Sequence, residues 1–479
     1  MRIKMTSCCA LSVAWMWAFA GLSAANDTRL ADALEKRDIK TATALLAQRV
    51  DVNLAQPDGG TPLHWAAHWN ELSIAKQLLA SGANANALND LGVSPLALAA
   101  SDGSVPMIEA LLGAGARANA ALPTGVTVLM AAARTGRVDA LNLLLAHGAD
   151  VNQKQRSRGQ TALMWAVAEG HVDAVRVLIE HGADVQAQTT GGFTPLMFAA
   201  REGNADLARL LLAHGANVND AAIDGSTPLL VATVRAHVEL ATLFLEQGAD
   251  PNGNPEAAGY TPLHWASGKS ETFTTFNYQT APGEWTALAG IPVRAGKLAL
   301  IKALLSHGAD ANAKTSKQPP RFGVSDGSGH SPVGASPLLL AAFSGDADVM
   351  RLLAANGADP LASANDGSTV LMAAAGMIAQ RDETTTVPEG DFLNAVKLAL
   401  ELGVPIEATN RRGYRAMHQA AAAGFTTVLR FLVEKGAELN AKTGPTGGTP
   451  LAVADGTAGS LYHERPAAAA VLRELGAVK

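Results

Sequence analysis

The chain has 479 residues, of which 48% are hydrophobic and 17% charged, with a formal net charge of −6 and two cysteines. That hydrophobic fraction excludes general disorder, the scarce cysteine excludes a disulfide scaffold, and the acidic balance gives no basis for a nucleic-acid-wrapping surface. At roughly 150 residues per domain the length suggests about three globular domains, and with only 5% aromatic residues their interiors must be filled by Ala, Leu and Val.

The first 25 residues differ from the rest. Arg2 and Lys4 precede an apolar run at 8–20, CCALSVAWMWAFA, which is too short to cross a ~30 Å hydrocarbon layer. Ser23-Ala24-Ala25 then places small residues at −3 and −1 of a cleavage site, so 1–25 read as a signal peptide and 26–479 as the mature chain. Cys8 and Cys9 leave with it. The mature chain then has neither a disulfide nor a thiol nucleophile, carries 35 basic against 43 acidic residues, and is expected to be periplasmic or secreted. No later segment offers 18 uninterrupted apolar residues, so no further membrane span is expected.

From there a period governs the chain. A Thr/Ser-x-Leu anchor recurs at Thr61, Ser94, Thr127, Thr161, Thr194, Thr227 and Thr261, with steps of 33 or 34 residues, and again at Ser336, Thr369 and Thr449. Arg415-Ala416-Met417 is a degenerate copy, and Thr28-Arg29-Leu30 sits at the same phase. A Gly-Ala step lies 21 residues after most anchors, at Gly82, Gly115, Gly148, Gly182, Gly215, Gly248, Gly357 and Gly436; after Thr28 it is replaced by Arg49-Val50. Each unit predicts a helix pair. Thr is an N-cap and Pro suits the first turn, a short Ala-rich helix follows, then a second apolar-periodic helix, which glycine stops. The count is twelve units.

TPLHWAA at 61–67, HGADVN at 147–152 and the 33-residue step resemble the ankyrin repeat. The resemblance covers about 26–479 and implies an all-α repeat solenoid: stacked helix-turn-helix units with projecting β-hairpin fingers, which binds protein partners on its concave side. It implies no cofactor. It also assigns a structural hydrogen bond to His64, His264 and His418, at the fourth anchor position.

Insertions interrupt the period near 269–296, 314–333, 377–390 and 456–466. The first carries Phe273, Phe276, Tyr278 and Trp285; these either fold back on neighbouring helices or form a partner-binding lobe. The fifth anchor position reads Trp65, Leu98, Ala131, Trp165, Phe198, Val231, Trp265, Leu340. Such a column either packs between helices or offers an aromatic strip, with Trp65, Trp165, Phe198 and Trp265 as anchors for a partner segment.

Catalytic patterns fail on context. Gly323-Val324-Ser325-Asp326-Gly327, with His330 nearby, matches a nucleophile elbow, but the flanking Pro and Gly exclude its strand and helix. Gly268-Lys269-Ser270 and Gly296-Lys297 lack the remaining P-loop glycines, and His463-Glu464 lacks a second histidine. Most of the histidines fall on shared repeat positions, His147, His181, His214 and His307 before the stopping glycine and His64, His264 and His418 at the fourth anchor position, and so cannot converge on one metal. Two further readings stay open: a secreted effector acting on host proteins, and a ligand or enzymatic site on the solenoid edge built from Glu284, Asp382, Glu383, Glu389, Asp391, His463 and Glu464. The leading expectation is a non-enzymatic scaffold with a protein partner, no nucleic acid and no metal.

Overall fold

The computed structural model describes residues 27–253, 259–268, 294–317, 333–376, 388–444, 447–458 and 464–478. The signal-peptide region, nearly all of the 269–296 insertion, most of the 314–333 and 377–390 insertions and residues 459–463 of the last lie outside these residues. The described chain is helical in pairs and divides into two compact units, at residues 1–150 and 151–479. No described helix is long and apolar enough to cross a membrane.

One repeat of the first unit shows why the sequence folds this way. Thr61 is extended (φ −91°, ψ 163°) and Pro62 begins the seven-residue helix Pro62–His68, where the absent N–H costs nothing. Asn70 turns the chain left-handed (φ 53°), and the second helix, Leu72–Ala80, follows. It stops at Gly82 (φ 87°), and the Ala83 N–H closes back on the Leu78 carbonyl at 2.9 Å, a glycine stop of Schellman type. Between layers, Leu63, Ala66, Ala67, Ala75 and Leu78 are fully buried. Each such leucine contributes about 2 kcal/mol through its removed apolar surface.

In the first unit the first helices, Arg29–Glu35, Pro62–His68, Pro95–Ser101 and Val128–Thr135, pack more closely on one another than the second helices do. The first-helix side is therefore the inner one. The same holds at the start of the second unit, across Ala162–Ala168, Pro195–Glu202 and Pro228–Val234. The order reverses at Arg294–Ser306, which follows the first insertion and runs 13 residues where nine are usual. Glu389–Glu401, after the third insertion, is also 13 residues long. The C-terminal ends of these two insertions are thus an added helical turn.

Side-chain amides join successive repeats. Asn53 Nδ2 donates to the Gly82 carbonyl (3.0 Å) and its Oδ1 accepts the Asn84 N–H (2.7 Å). Asn86 and Asn119 repeat this in the first unit, and Asn152, Asn219, Asn252 and Asn312 in the second. At the same position Glu407 accepts the Glu438 N–H (2.8 Å) but has no N–H to return. There Arg415, in place of the usual Thr, pairs with both Glu407 and Glu438.

The expected β-hairpin fingers are not strands. Among the described residues there is a single isolated bridge, Ala121 with Thr127. Each finger is a tight loop closed by a bond or two, such as Gln56 N–H to Gly60 O (2.9 Å). Neighbouring tips are tied by one backbone bond, Asp90 N–H to Asp58 O (2.9 Å) or Ile223 N–H to Gly191 O (3.0 Å). So few pairings build no regular ladder.

Candidate protein-binding face

The histidines at the fourth anchor position lock each first helix to the next finger. Thr61 N–H donates to His64 Nδ1 (3.1 Å), so the ring proton lies on Nε2, which donates to Val93 O (2.9 Å). His264 does the same between Thr261 N–H (2.9 Å) and Ala313 O (2.9 Å). His418 spans Arg415 N–H (3.2 Å) and Ala441 O (3.1 Å). Burial drives the pKa of His264 and His418 down to about 4 and also lowers that of His64, since desolvation disfavours the imidazolium. The histidines before the stopping glycines are exposed and bond their own helices, as His147 Nδ1 does with Leu143 O (2.8 Å).

The fifth-position column varies in exposure. Trp65 is half-buried, and its Nε1–H donates to Gln56 Oε1 at 2.6 Å. Gly60 makes room for this bond: a Cβ there would lie 3.3 Å from Gln56 Oε1 and 3.5 Å from the indole nitrogen. Leu98 is half-buried and Ala131 buried. In the second unit Trp165 and Trp265 are half-buried, whereas Val231, Leu340 and Phe198 are buried, Phe198 to 3% exposure. Phe198 is therefore a packing residue rather than an exposed anchor. The Arg201 guanidinium covers its ring at 4.9 Å. Trp265 meets Tyr260 edge to face (5.0 Å, 82°), and both pack on Leu230 and Val234. Burial pushes the Tyr260 hydroxyl up to about 12. The Trp165 Nε1–H is buried and has no hydrogen-bond partner among the described residues. Phe273, Phe276, Tyr278 and Trp285 lie outside them.

Sequence reasoning missed the polar half of this face. Asp32 and Glu35 stand in the first repeat where Trp65 and His68 stand in the second, and the amide of Gln56 ties the two repeats together. The signal was the 33-residue phase itself, followed back one more step.

The edge carboxylates assemble no catalytic group among the described residues. Glu389 caps the next repeat, accepting the Thr427 N–H and hydroxyl (both 2.7 Å). Asp391 lines an open cleft of about 240 Å³ with Asp348, Arg351, Lys397 and Glu401, charges of both signs. Glu464 is exposed. Glu284, Asp382, Glu383 and His463 lie outside the described residues, as do 323–327 and His330. Among the described residues no group of three or more potential ligands is placed to hold a metal.

Stacked, glycine-stopped helix pairs joined by an asparagine ladder, with a part-exposed inner face, define a helical repeat protein. The family model for ankyrin repeats in three copies matches 30–122, 63–155, 96–189, 129–222 and 196–278. The single ankyrin-repeat model matches 258–316, 333–365 and 412–444. Together they cover well over half of the chain, which belongs to the ankyrin-repeat family. Among solved structures, the crystal structure of the human ASB11 ankyrin repeat domain is similar, at 28% identity and a TM-score of 0.42, covering 46% of this chain and 98% of that one. No curated protein matches the sequence. Ankyrin repeats in general mediate protein–protein interaction and are typically non-enzymatic.

Proposed function

We propose that this chain is a non-enzymatic scaffold that docks protein partners on the first-helix faces of its repeats, with Trp65 as a contact in the first unit and Trp165 and Trp265 as contacts in the second. The observation that carries this is the recurrence of half-buried tryptophans, Trp65, Trp165 and Trp265, at the same position of three first helices. Half-buried tryptophans on a pre-ordered surface supply large contact area at low entropic cost. With the 1–25 segment read as a signal peptide, the proposed setting is periplasmic or extracellular, and cell fractionation of the tagged chain checks it.

The docking test places a photo-cross-linking residue at His68 or Ser101, exposed on the inner face, or at Lys76 or Glu109, exposed on the second-helix side. A discrete adduct is expected from the first pair of positions. Adducts confined to the second pair would overturn the reading.

A further inference from the structure

The inner face of the first two repeats holds two carboxylates with no ion-pair partner among the described residues. Asp32 Oδ1 and Glu35 Oε2 each accept a hydrogen bond from Gln56 Nε2, at 2.8 and 2.9 Å. The other Asp32 oxygen takes the Thr28 hydroxyl at 3.0 Å. Gln56 is itself held by the Trp65 indole, so both carboxylates stand one amide width from an aromatic ring. Among the described residues neither carboxylate has an ion-pair partner. The two arginines of this region are engaged elsewhere, Arg29 with Asp27 (2.6 Å) and Arg37 with Glu71 (2.8 Å).

One turn along the same helix, a similar set of groups is filled. The Arg37 guanidinium lies 5.4 Å over the Trp69 ring and pairs with Glu71. Tryptophan plus carboxylate is the combination that recognises a guanidinium, by cation–π attraction and a charge-assisted hydrogen bond. Beside Trp65 the ring and a doubled carboxylate are in place and the cation is not. Two like charges held together by one neutral amide disfavour the free chain and attract a positive ligand.

We propose that Asp32, Glu35 and Trp65 form a recognition site for an arginine side chain of the protein partner. The proposal rests on the docking reading above and adds the chemistry that a segment docked on the first unit must carry. Its occupant is a basic segment, not a small anion or a metal ion: the site supplies a half-buried indole and two carboxylates already spent in part on Gln56.

The test uses the full chain with 15N-labelled tryptophan, titrated with acetyl-arginine amide, following the Trp65 indole N–H signal assigned with Trp65→Phe. A saturable shift of that signal is expected. Asp32→Asn/Glu35→Gln should weaken it about tenfold or more, in keeping with loss of a charge-assisted contact. Glu109→Gln/Asp139→Asn, an equal charge change on exposed second-helix residues, should leave it unchanged. Thermal melting of the first double variant should match or exceed the parent, because neutralising two adjacent like charges relieves repulsion. Equal weakening in both double variants, or an unresponsive Trp65 signal, overturns the proposal. A silent Trp65 with cross-linking at Ser101 intact removes this site alone. A normal titration without inner-face cross-links removes the docking reading alone.

Discussion

At the residue scale, His264 and His418 are neutral clasps. Each ring accepts a backbone N–H and donates to the carbonyl of a following finger, and burial holds both near pKa 4. The unfolded chain, with ordinary histidines near 6.5, therefore takes up protons first as the pH falls. Stabilisation is full above about pH 6.5, declines between about 6.5 and 4, and levels off below that. Each histidine accounts for about 3 kcal/mol over this window. Urea unfolding of the second unit should show this loss, and His264→Gln/His418→Gln should flatten the pH profile at a lower plateau. A profile with the same slope in the variant would show that other groups cause the acid sensitivity.

A second residue-scale prediction concerns the one repeat that lacks its glycine stop. Arg49 occupies that position and is left-handed at φ 56°, a conformation that costs a side chain about 1–2 kcal/mol. Arg49→Gly should raise the denaturation midpoint of the first unit, by a net ~0.5–1 kcal/mol once the added chain entropy of glycine is deducted. Gly82→Ala, at φ 87° with open space around the added Cβ, should lower it by a similar amount. Opposite signs at equivalent positions are what backbone strain requires.

At the element scale, the helices that follow insertions are tied to the next repeat by charged contacts. Lys297 Nζ lies 3.1 Å from Asp346 Oδ2, with 9% and 14% of the two side chains exposed, and Asp346 also caps Ala347–Ala355 through the Val349 N–H. Asp346→Ala removes the cap and leaves a buried ammonium without its carboxylate, so it should cost about 3 kcal/mol or more. Glu389→Ala, which only uncaps Thr426–Glu434 at an exposed site, should cost about 1 kcal/mol. Chemical denaturation of both variants gives the comparison, and a smaller loss for Asp346→Ala would refute the ranking. The sequence marked Gly296-Lys297 only as a failed phosphate loop. Its actual partner is 49 residues away, across an insertion that hides the helical phase.

At the scale of the whole molecule, each repeat packs on its neighbours, so stability should behave as a sum of repeat and junction contributions. Asn312→Ala, in the middle of the second unit, removes two inter-repeat bonds at 2.8 and 2.7 Å. It should cost about 1–2 kcal/mol, and hydrogen exchange should locate the loss in the two repeats it joins. A loss spread evenly over the unit would contradict nearest-neighbour coupling. For binding, Trp65→Ala should weaken cross-linking at His68 and Ser101, whereas Phe198→Ala should act mainly by lowering stability of the second unit, about 3 kcal/mol for an emptied aromatic site.

The period, the N-caps, the prolines and the glycine stops were legible in the sequence because each acts within one repeat: a cap or a left-handed turn is set by adjacent residues. The position of each histidine clasp followed from the family resemblance for the same reason. Exposure within one column was not legible. Trp65 and Phe198 occupy equivalent positions, yet three residues on, Trp65 meets His68 edge-on at 6.0 Å while Phe198 lies beneath Arg201. Nor could the sequence say that Asp32 and Glu35 share the amide of Gln56, because that bond crosses from one repeat to the next. Local chemistry determined the repeat and its family; stacking, which sets side by side residues about 20 to 50 positions apart, decided which side chains are buried and which charges are paired.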